Sequence, residues 1–226
     1  MKKIVVLTGA GVSAESGIKT FRDADGLWEG HDIMEVASPM GWERDRQKVL
    51  EFYNLRRRQL KEVQPNAAHL ALKELEEKYE VNIVTQNVDD LHERAGSSRV
   101  IHLHGELRKV RSCIDEQLVL EWEDDLNEGD LCKHQSQLRP HIVWFGEEVP
   151  RMEEAMEITS EADILIIIGT SMQVYPAAGL MHYTRPGIPI YFIDPKPTVS
   201  GKGNLKVYAE KASSGVRKVV DELLNI

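Results

Sequence analysis

The chain has 226 residues, of which 42% are hydrophobic and 29% charged, and its formal net charge is −9 at pH 7. These values are typical of a folded globular protein of one or two domains and exclude a disordered or fibrous chain. The negative balance argues against a general nucleic-acid-binding protein, which carries a basic face. The apolar runs are too short for a signal-peptide core or a membrane span, and the two cysteines, Cys113 and Cys132, suit a reducing compartment, so we expect a cytoplasmic protein.

The first predicted strand leads into a glycine-rich turn. Lys3–Thr8 is a short apolar run rich in β-branched residues, and Gly9-Ala10-Gly11-Val12-Ser13-Ala14 follows it directly. This is the G-x-G-x-x-A pattern of dinucleotide-binding turns, in which glycines let the backbone approach a pyrophosphate beside a helix N-terminus. The pattern predicts a dinucleotide ligand, and a plain strand-to-helix turn is the alternative when the pattern stands alone.

The segment after this turn differs from that of a dehydrogenase. An ordinary Rossmann dehydrogenase continues with a second apolar strand, and an acidic residue about 20 positions on binds the adenosine ribose. Residues 21–28, Phe-Arg-Asp-Ala-Asp-Gly-Leu-Trp, are polar, aromatic and interrupted by glycine, which predicts a loop. The sequence therefore argues against a dehydrogenase.

Four later apolar runs predict further strands, at residues 81–85, 100–103, 163–168 and 188–193. A helical pattern at residues 67–79 leads into the second of the five strands. This alternation predicts an α/β fold with a Rossmann-like, mostly parallel sheet flanked by helices. We assign residues 1–29, 65–106 and 140–226 to this dinucleotide-binding domain, and residues 30–64 and 107–139, which fit the alternation poorly, to a smaller inserted module.

Polar or glycine residues follow the predicted strands. They are Gln86, Asn87 and Asp89 after the second strand, His102 and His104 at the third, Gly169, Thr170 and Ser171 after the fourth, and Asp194 after the fifth. Because ligands of open α/β sheets bind at the carboxyl ends of the strands, we expect these residues to line one crevice. Taken singly, such residues are also typical of turns and caps. His102 is also typical of a hydrogen-bonded core histidine, or His102 and His104 could bind a metal with the help of His92 and His141.

Five ordered segments together resemble one known family. They are residues 9–22, Gly-Ala-Gly-Val-Ser-Ala-Glu-Ser-Gly-Ile-Lys-Thr-Phe-Arg, then Thr85-Gln86-Asn87-Val88-Asp89, Leu103-His104-Gly105-Glu106, Val143-Trp144-Phe145-Gly146-Glu147 and Gly169-Thr170-Ser171. The set is similar to the signature of sirtuins, the NAD-dependent protein-lysine deacylases. Ala14-Glu15-Ser16 with Thr20 resembles the bacterial and mitochondrial subgroup that removes acidic acyl groups, although Lys19 stands where proline is usual.

The resemblance implies NAD as cofactor. His104 matches the family's general base, a role that suits an imidazole with a pKa near neutrality. Asn87 and Asp89 match the residues that hold the nicotinamide carboxamide and order water, and Phe21 and Arg22 match a mobile loop over the nicotinamide and phosphates. The implied cofactor-binding residues are Gly9, Ala10, Gly11, Ser13, Ala14, Thr20, Phe21, Arg22, Trp28, Gln86, Asn87, Asp89, Gly169, Thr170, Ser171, Asp194 and Ala212.

The resemblance also implies two substrate contacts. The segment Val143-Trp144-Phe145-Gly146 matches a strand that pairs with the substrate peptide, a strand-addition mode of binding. Tyr53 and Arg56 lie at i and i+3 on a helix expected around residues 49–63, which Phe52, Leu55 and Leu60 would pack down as an apolar stripe. This Tyr-x-x-Arg resembles the pair with which the acidic-acyl subgroup recognises succinyl, malonyl or glutaryl lysine.

The implied reaction releases nicotinamide and O-acyl-ADP-ribose and leaves a free lysine. In this scheme the acyl oxygen attacks C1′ of the nicotinamide ribose, and His104 then deprotonates a ribose hydroxyl. Acyl-lysine proteins or peptides are the expected substrates, and neither nucleic acid nor membrane is expected as a partner. The alternatives are an NAD hydrolase that uses the same cleft on water, and a non-catalytic NAD or ADP-ribose sensor.

Sirtuins usually carry a zinc ribbon of two Cys-x-x-Cys pairs, but the four matching positions here are Ser112, Asp115, Leu131 and His134. Structural zinc requires four tetrahedral ligands, so we expect a module without metal. The alternative is a residual site formed by Cys113, Cys132, His134 and either Glu116 or Asp115.

Overall fold

The computed structural model describes residues 1–19, 27, 28, 30–171 and 177–225, and only the backbone of 27, 28 and 177. Its strands are β1 (Lys3–Thr8), β2 (Leu27–Trp28), β3 (His31–Asp32), β4 (Glu80–Thr85), β5 (Val100–His102), β6 (Gly105–Ser112), β7 (Val119–Glu121), β8 (Leu138–Ile142), β9 (Ile164–Ile168), β10 (Ile190–Ile193) and β11 (Leu205–Tyr208). Its α-helices are α1 (Ile33–Val36), α2 (Pro39–Arg44), α3 (Arg46–Glu62), α4 (Ala67–Glu74), α5 (Leu91–Arg94), α6 (Met152–Ser160) and α7 (Ala212–Leu224). Short 3-10 helices lie at Ala10–Val12, Ala14–Ser16, Leu75–Glu77 and Ala177–Tyr183. Of the helices in the described ranges, none combines the length and the apolar character needed to cross a bilayer.

A six-stranded parallel sheet has the order β11-β10-β9-β1-β4-β5. Within it, β1 lies between β4 and β9, so that Thr8 is in register with Thr85 on one side and Ile168 on the other. The expected α/β fold with a mostly parallel sheet flanked by helices is confirmed. The edge strand β11 was not predicted, because its four residues are only partly buried and form no continuous apolar run.

The sheet is buried on both faces, because successive residues of its strands are apolar. In β1, Ile4 and Val6 contribute to one core, and Val5 and Leu7 contribute to another. Residues of α4 and α7 complete the first core, and α6 contributes to the second. A strand covered by helices on both sides needs no polar alternation, which is why continuous apolar runs predicted these strands correctly.

The smaller part of the molecule combines α1–α3 with an antiparallel sheet of order β7-β6-β8. Its core contains Trp42 and Leu50 from the helices together with Val110 and Leu138 from the sheet. The predicted limits between the two parts, at residues 106/107 and 139/140, fall inside β6 and β8. Residues 105, 106 and 140–142 therefore belong to strands of the small sheet, and the division into two domains stays a prediction.

The glycine-rich turn after β1 packs against the loop after β9. Gly9 N donates to Ile168 O at 3.0 Å, and Gly11 N donates to Gly169 O at 2.9 Å. A Cβ on Gly11 would lie 2.5 Å from Gly169 Cα, and Gly169 itself has a φ of +60°. Glycine is therefore required here for the contact of two loops, a reason that the sequence pattern did not reveal.

The positions considered for zinc carry other interactions. Cys132 Sγ donates to Ser112 Oγ at 3.3 Å, and His134 Nε2 lies 3.6 Å from Asp115 Oδ2. Cys113 is exposed while Cys132 is buried. Across the residues that the structure describes, no three His, Cys, Asp or Glu side chains are grouped so that they could hold a metal ion. The absence of zinc stays a prediction.

We expect chelator treatment to leave the thermal unfolding midpoint unchanged, because a structural zinc ion would contribute folding free energy and its removal would lower the midpoint. The Cys113→Ser variant serves as a control and should unfold at the same temperature, since this thiol is exposed. Elemental analysis of the purified protein completes the test. Stoichiometric zinc together with unfolding on chelation would show that the expectation is wrong.

Candidate active site

A cavity of about 700 Å³ lies at the carboxyl ends of the parallel strands and extends to α3 and the end of β8. Its volume is in the range of ligand-binding clefts. Predicted cofactor residues in its wall are Gly9, Ala10, Gly11, Ala14, Gln86, Asn87, Asp89, Gly169, Thr170, Ser171, Asp194 and Ala212. His104 and the predicted substrate residues Tyr53, Arg56, Val143, Trp144, Phe145 and Gly146 also line it. The five sequence segments therefore meet around one cavity.

A few predicted residues are placed differently or lie outside the described part of the chain. Ser13 is fully buried beneath the cavity and bonds to two residues of its wall. Thr20, Phe21, Arg22 and the side chain of Trp28 lie outside the described residues. Their predicted roles stay predictions, as do those of the residues in the wall.

Ser13, Asn87 and Asp89 form one hydrogen-bonded unit. Ser13 Oγ donates to Asp89 Oδ2 at 3.0 Å and accepts from Asn87 Nδ2 at 3.1 Å. These bonds fix the orientation of the Asn87 amide. Burial raises the pKa of Asp89 to about 6, although the Leu91 N–H and the Ser13 hydroxyl oppose the shift. A carboxyl group in this environment changes its charge close to neutral pH.

His104 has the geometry of a base. Its Nδ1 lies 3.0 Å from the Gln86 carbonyl oxygen, which can only accept, so Nδ1 carries the proton and Nε2 keeps its lone pair. Burial lowers the pKa of His104, against the smaller opposing effect of the Gln86 carbonyl. The imidazole is therefore neutral near pH 7 and can take up a proton.

His102 is in the opposite protonation state. Its Nδ1 lies 2.9 Å from Asn87 O and its Nε2 lies 2.7 Å from Glu93 Oε1, so both ring nitrogens donate. Burial opposes the charged ring, but the hydrogen bond and charge of Glu93 outweigh it and raise the pKa of His102. His102 is thus a hydrogen-bonded core residue that supports the backbone of Asn87, one of the two interpretations that its sequence position allowed.

Tyr53 and Arg56 lie on α3 and reach the cavity from the smaller part of the molecule. Tyr53 is fully buried, and Arg56 is 9% exposed. Arg56 Nη1 donates to Phe52 O at 2.6 Å, and the guanidinium lies 3.3 Å from the centre of the Phe52 ring. These contacts hold a positive charge in the cavity wall.

The rest of α3 differs from the prediction in two respects. Leu55, predicted as part of the buried stripe, is 48% exposed, whereas Phe52 and Leu60 are buried as expected. Arg57, part of an arginine run of the kind usually solvated, is buried and donates to Leu107 O at 2.9 Å and Asn54 Oδ1 at 2.8 Å. A run of charged residues in a sequence does not show which of its side chains faces the core.

Residues 143–147 do not form the expected strand. β8 ends at Ile142, and a turn follows. Val143 N donates to His104 O and Phe145 N to Ala37 O, both at 2.9 Å, so these groups are already engaged within the protein. Trp144 is buried at 2% exposure, while Phe145 is 43% exposed. Any pairing with a peptide must use the remaining backbone groups of this turn.

The cavity wall also includes residues that the sequence motifs did not assign, among them Glu15, Val88, Lys196 and Lys211. Glu15 accepts from Ser213 N at 2.9 Å and Ser213 Oγ at 2.8 Å, which ties the turn after β1 to the first turn of α7. Val88 lies between two predicted site residues, a neighbourhood that could have indicated it. Lys196 and Lys211 carried no sequence signal.

Comparisons with known proteins agree with this geometry. The chain matches the Sir2 family over residues 9–176. The chain belongs to the Sir2 family. A protein of Helicobacter pylori (strain ATCC 700392 / 26695) named NAD-dependent protein deacylase is 69% identical over 196 residues, covering 87% of this chain and 86% of that protein. The sirtuin resemblance is thus confirmed, and membership of the acidic-acyl subgroup stays a prediction.

Solved structures show the same fold. A Sir2 homolog–NAD complex superposes with a TM-score of 0.88 at 41% identity, covering 99% of this chain and 90% of that one. A Sir2 protein bound to acetylated peptide superposes with a TM-score of 0.81 at 31% identity, covering 97% of this chain and 92% of that one. NAD as the cofactor of this Sir2 protein is confirmed.

The His102–Glu93 pair should make folding stability depend on pH. The pKa of His102 is raised above 6.5, so its contribution is complete below that value and is lost as pH rises through the folded-state pKa. The pKa of Glu93 is lowered below 4.5, although burial opposes this, so its contribution is lost as pH falls through the folded-state pKa. The contribution of this pair to the free energy of unfolding is therefore largest between pH 4.5 and pH 6.5, and urea unfolding of the parent protein and of a variant without Glu93 at a series of pH values separates it from the contributions of other groups.

The variant Glu93→Gln should remove most of the pH dependence of folding stability in the range where His102 loses its proton. Its loss of unfolding free energy relative to the parent protein should be larger at pH 6 than at pH 9. Glu153→Gln, at an exposed position of α6, is the matched control and should show no such difference. A loss that is the same at both pH values would mean that His102 is not held as a cation.

Proposed function

We propose that this Sir2 protein removes succinyl and malonyl groups, as well as acetyl groups, from lysine side chains with NAD as co-substrate. Nicotinamide and O-acyl-ADP-ribose are the expected products. NAD-dependent protein deacylation is the activity named for its relatives, and it is the general function of this chain. The preference for acidic acyl groups rests on Tyr53 and Arg56.

The cavity suits a dinucleotide with its ribose hydroxyls and phosphates. Gln86 and Thr170, whose amide and hydroxyl groups lie 3.3 Å apart, line the wall together with Lys211. NAD supplies, when bound, a ribose carbon from which nicotinamide leaves. Asn87, oriented by Ser13, would hold a carboxamide at the end of the cavity occupied by His104 and Asp89.

His104 would act as the general base. Its Nε2 carries a lone pair because Nδ1 donates to Gln86 O, and its lowered pKa keeps the ring neutral at physiological pH. A base that is unprotonated before the reaction can accept a proton from a ribose hydroxyl. A sensor that only binds NAD has no need of such a base, so this geometry favours an enzyme.

The alternative of an NAD hydrolase needs no acyl-binding surface. In this protein the same cavity extends from the strand ends to Tyr53 and Arg56, and apolar residues Leu60, Leu107 and Ile142 line that extension. An apolar channel whose wall includes the guanidinium of Arg56 suits an acyl chain that ends in a carboxylate. This observation supports a deacylase over a hydrolase.

The charge of Arg56 carries the proposal for acidic acyl groups. A guanidinium can bind a carboxylate through two charge-assisted hydrogen bonds, and a phenol can add a further donor. Arg56 is 9% exposed and is held against Phe52, so little side-chain freedom remains to be lost on binding. An acetyl group offers no carboxylate to this cation.

Acyl-lysine proteins or peptides are the proposed partners, and neither nucleic acid nor a membrane is proposed as one. The net charge of −9 supports the first of these exclusions. The cytoplasmic location expected from composition stays a prediction.

Replacing His104 by Asn should abolish most turnover while NAD binding is retained. Loss of a general base typically lowers the rate by about 10²–10⁴-fold. Deacylation of an acetyl peptide is followed by mass spectrometry, and NAD affinity is measured by calorimetry. Near-normal turnover of His104→Asn would show that the assignment of the base is wrong. Release of nicotinamide without peptide at the normal rate would favour the hydrolase.

Replacing Arg56 by Met should reduce the ratio of desuccinylation to deacetylation, measured as kcat/KM on matched peptides. Loss of one partner of a buried charged contact costs on the order of 2–5 kcal/mol, which corresponds to a fall of about 30-fold or more. Arg58→Met is the matched control, because Arg58 lies on the same helix, is exposed and bonds to Asp125 at 2.9 Å. An equal effect on both activities would exclude Arg56 as the carboxylate-binding residue.

A further inference from the structure

The hydroxyl of Tyr53 is bonded to the indole of Trp144. Trp144 Nε1 lies 3.1 Å from Tyr53 Oη, and the two side chains are 2% and 0% exposed. An indole N–H can only donate, so the Tyr53 oxygen accepts this bond. The hydrogen of the Tyr53 hydroxyl must therefore point away from Trp144.

The hydroxyl also keeps its hydrogen at physiological pH. Burial raises the pKa of Tyr53 well above its usual range, against the opposing effects of the Trp144 bond and the nearby charge of Arg56. Tyr53 thus remains a donor, and Trp144 determines the direction in which it can donate.

Trp144 is itself firmly held. The guanidinium of Arg139 lies 3.3 Å from the centre of its ring, and Arg139 donates to both oxygens of Glu147 at 2.7 and 3.1 Å. Trp144 N donates to Glu147 Oε2 at 2.8 Å, and the Trp42 ring packs against the indole with centroids 5.6 Å apart. A cation over the ring draws electron density from the indole, which strengthens its N–H as a donor.

We propose that Trp144 is a positioning residue for acyl-group selection: its N–H orients and polarises the Tyr53 hydroxyl, which then donates to the distal carboxylate of an acidic acyl group. Hydrogen bonds in a chain strengthen one another, so donation from Trp144 makes Tyr53 a better donor. This inference rests on the proposed function, in which Tyr53 and Arg56 bind that carboxylate. It assigns the indole ring a role separate from any backbone contact of residues 143–146 with a peptide.

The first test compares Trp144→Phe with Trp42→Phe. The first substitution removes the N–H and keeps an aromatic ring, and the second makes the same change in the neighbouring ring, which does not bond to Tyr53. Trp144→Phe should lower the succinyl-to-acetyl ratio of kcat/KM by about 3- to 10-fold, mainly through KM, as expected for one hydrogen bond. Trp42→Phe should leave the ratio unchanged. A fall of the same size in both variants would reduce the effect to core packing and overturn the proposal.

A double-mutant cycle with Tyr53→Phe separates positioning from direct contact. If Trp144 acts through Tyr53, then Trp144→Phe should have no further effect on the ratio once Tyr53 is replaced. If instead the two substitutions lower the ratio by independent factors that multiply in the double variant, the proposal is overturned. Arg56→Met distinguishes failure of the proposed function from failure of the inference about Trp144. An unchanged succinyl-to-acetyl ratio in that variant refutes acidic-acyl recognition, and this inference with it. A collapsed ratio in Arg56→Met beside a normal ratio in Trp144→Phe refutes this inference alone.

A spectroscopic measurement on the unmodified protein covers the case in which Trp144→Phe does not fold. The indole N–H resonance that moves in Tyr53→Phe identifies Trp144 in a ¹⁵N-labelled sample. Addition of a succinyl-lysine peptide should shift this resonance downfield, because the hydrogen-bond chain is strengthened, and an acetyl-lysine peptide should shift it less. Equal shifts with the two peptides, or none with either, would overturn the proposal.

Discussion

The backbone contact between Gly11 and Gly169 holds together the two loops from which the cofactor half of the cavity is built. Gly11 N donates to Gly169 O at 2.9 Å, and there is no room for a Cβ on either residue. Because this contact fixes the turn after β1, Ser13 lies where it can bond Asn87 and Asp89, which follow the neighbouring strand β4. The orientation of the polar groups thus follows from the packing of two loops that carry no side chains at their contact.

The protonation of two nearby histidines, His102 and His104, depends on the groups that surround each ring. His102 and His104 lie at one strand end, yet one is charged and the other neutral. Both donate Nδ1–H to a backbone carbonyl, but only His102 has a carboxylate, that of Glu93, at its other nitrogen. The charged ring supports the structure, and the neutral ring keeps a lone pair for proton transfer. Asp89 is buried near His102, and burial raises its pKa to about 6.

The parallel sheet and the convergence of the strand-end residues could be predicted from the sequence, because buried parallel strands are continuous apolar runs and their carboxyl ends share one edge. The small antiparallel sheet could not, since β6 carries Lys109 and Arg111 among its apolar residues and reads as a polar segment. Trp144 was expected at a peptide-binding strand but is buried in the smaller core. Its hydrogen bond joins residues 91 positions apart, which no local pattern encodes.

The bond between Glu15 and Ser213 spans 198 positions of the chain. It joins the turn that follows the first strand to the start of α7, and Ala212 at that start lines the same cavity as Gly9. During synthesis on the ribosome, the first strand and its turn emerge long before the helix that bonds to them. The wall of the cavity, which includes Ala212, is therefore complete only after the start of α7 has been translated.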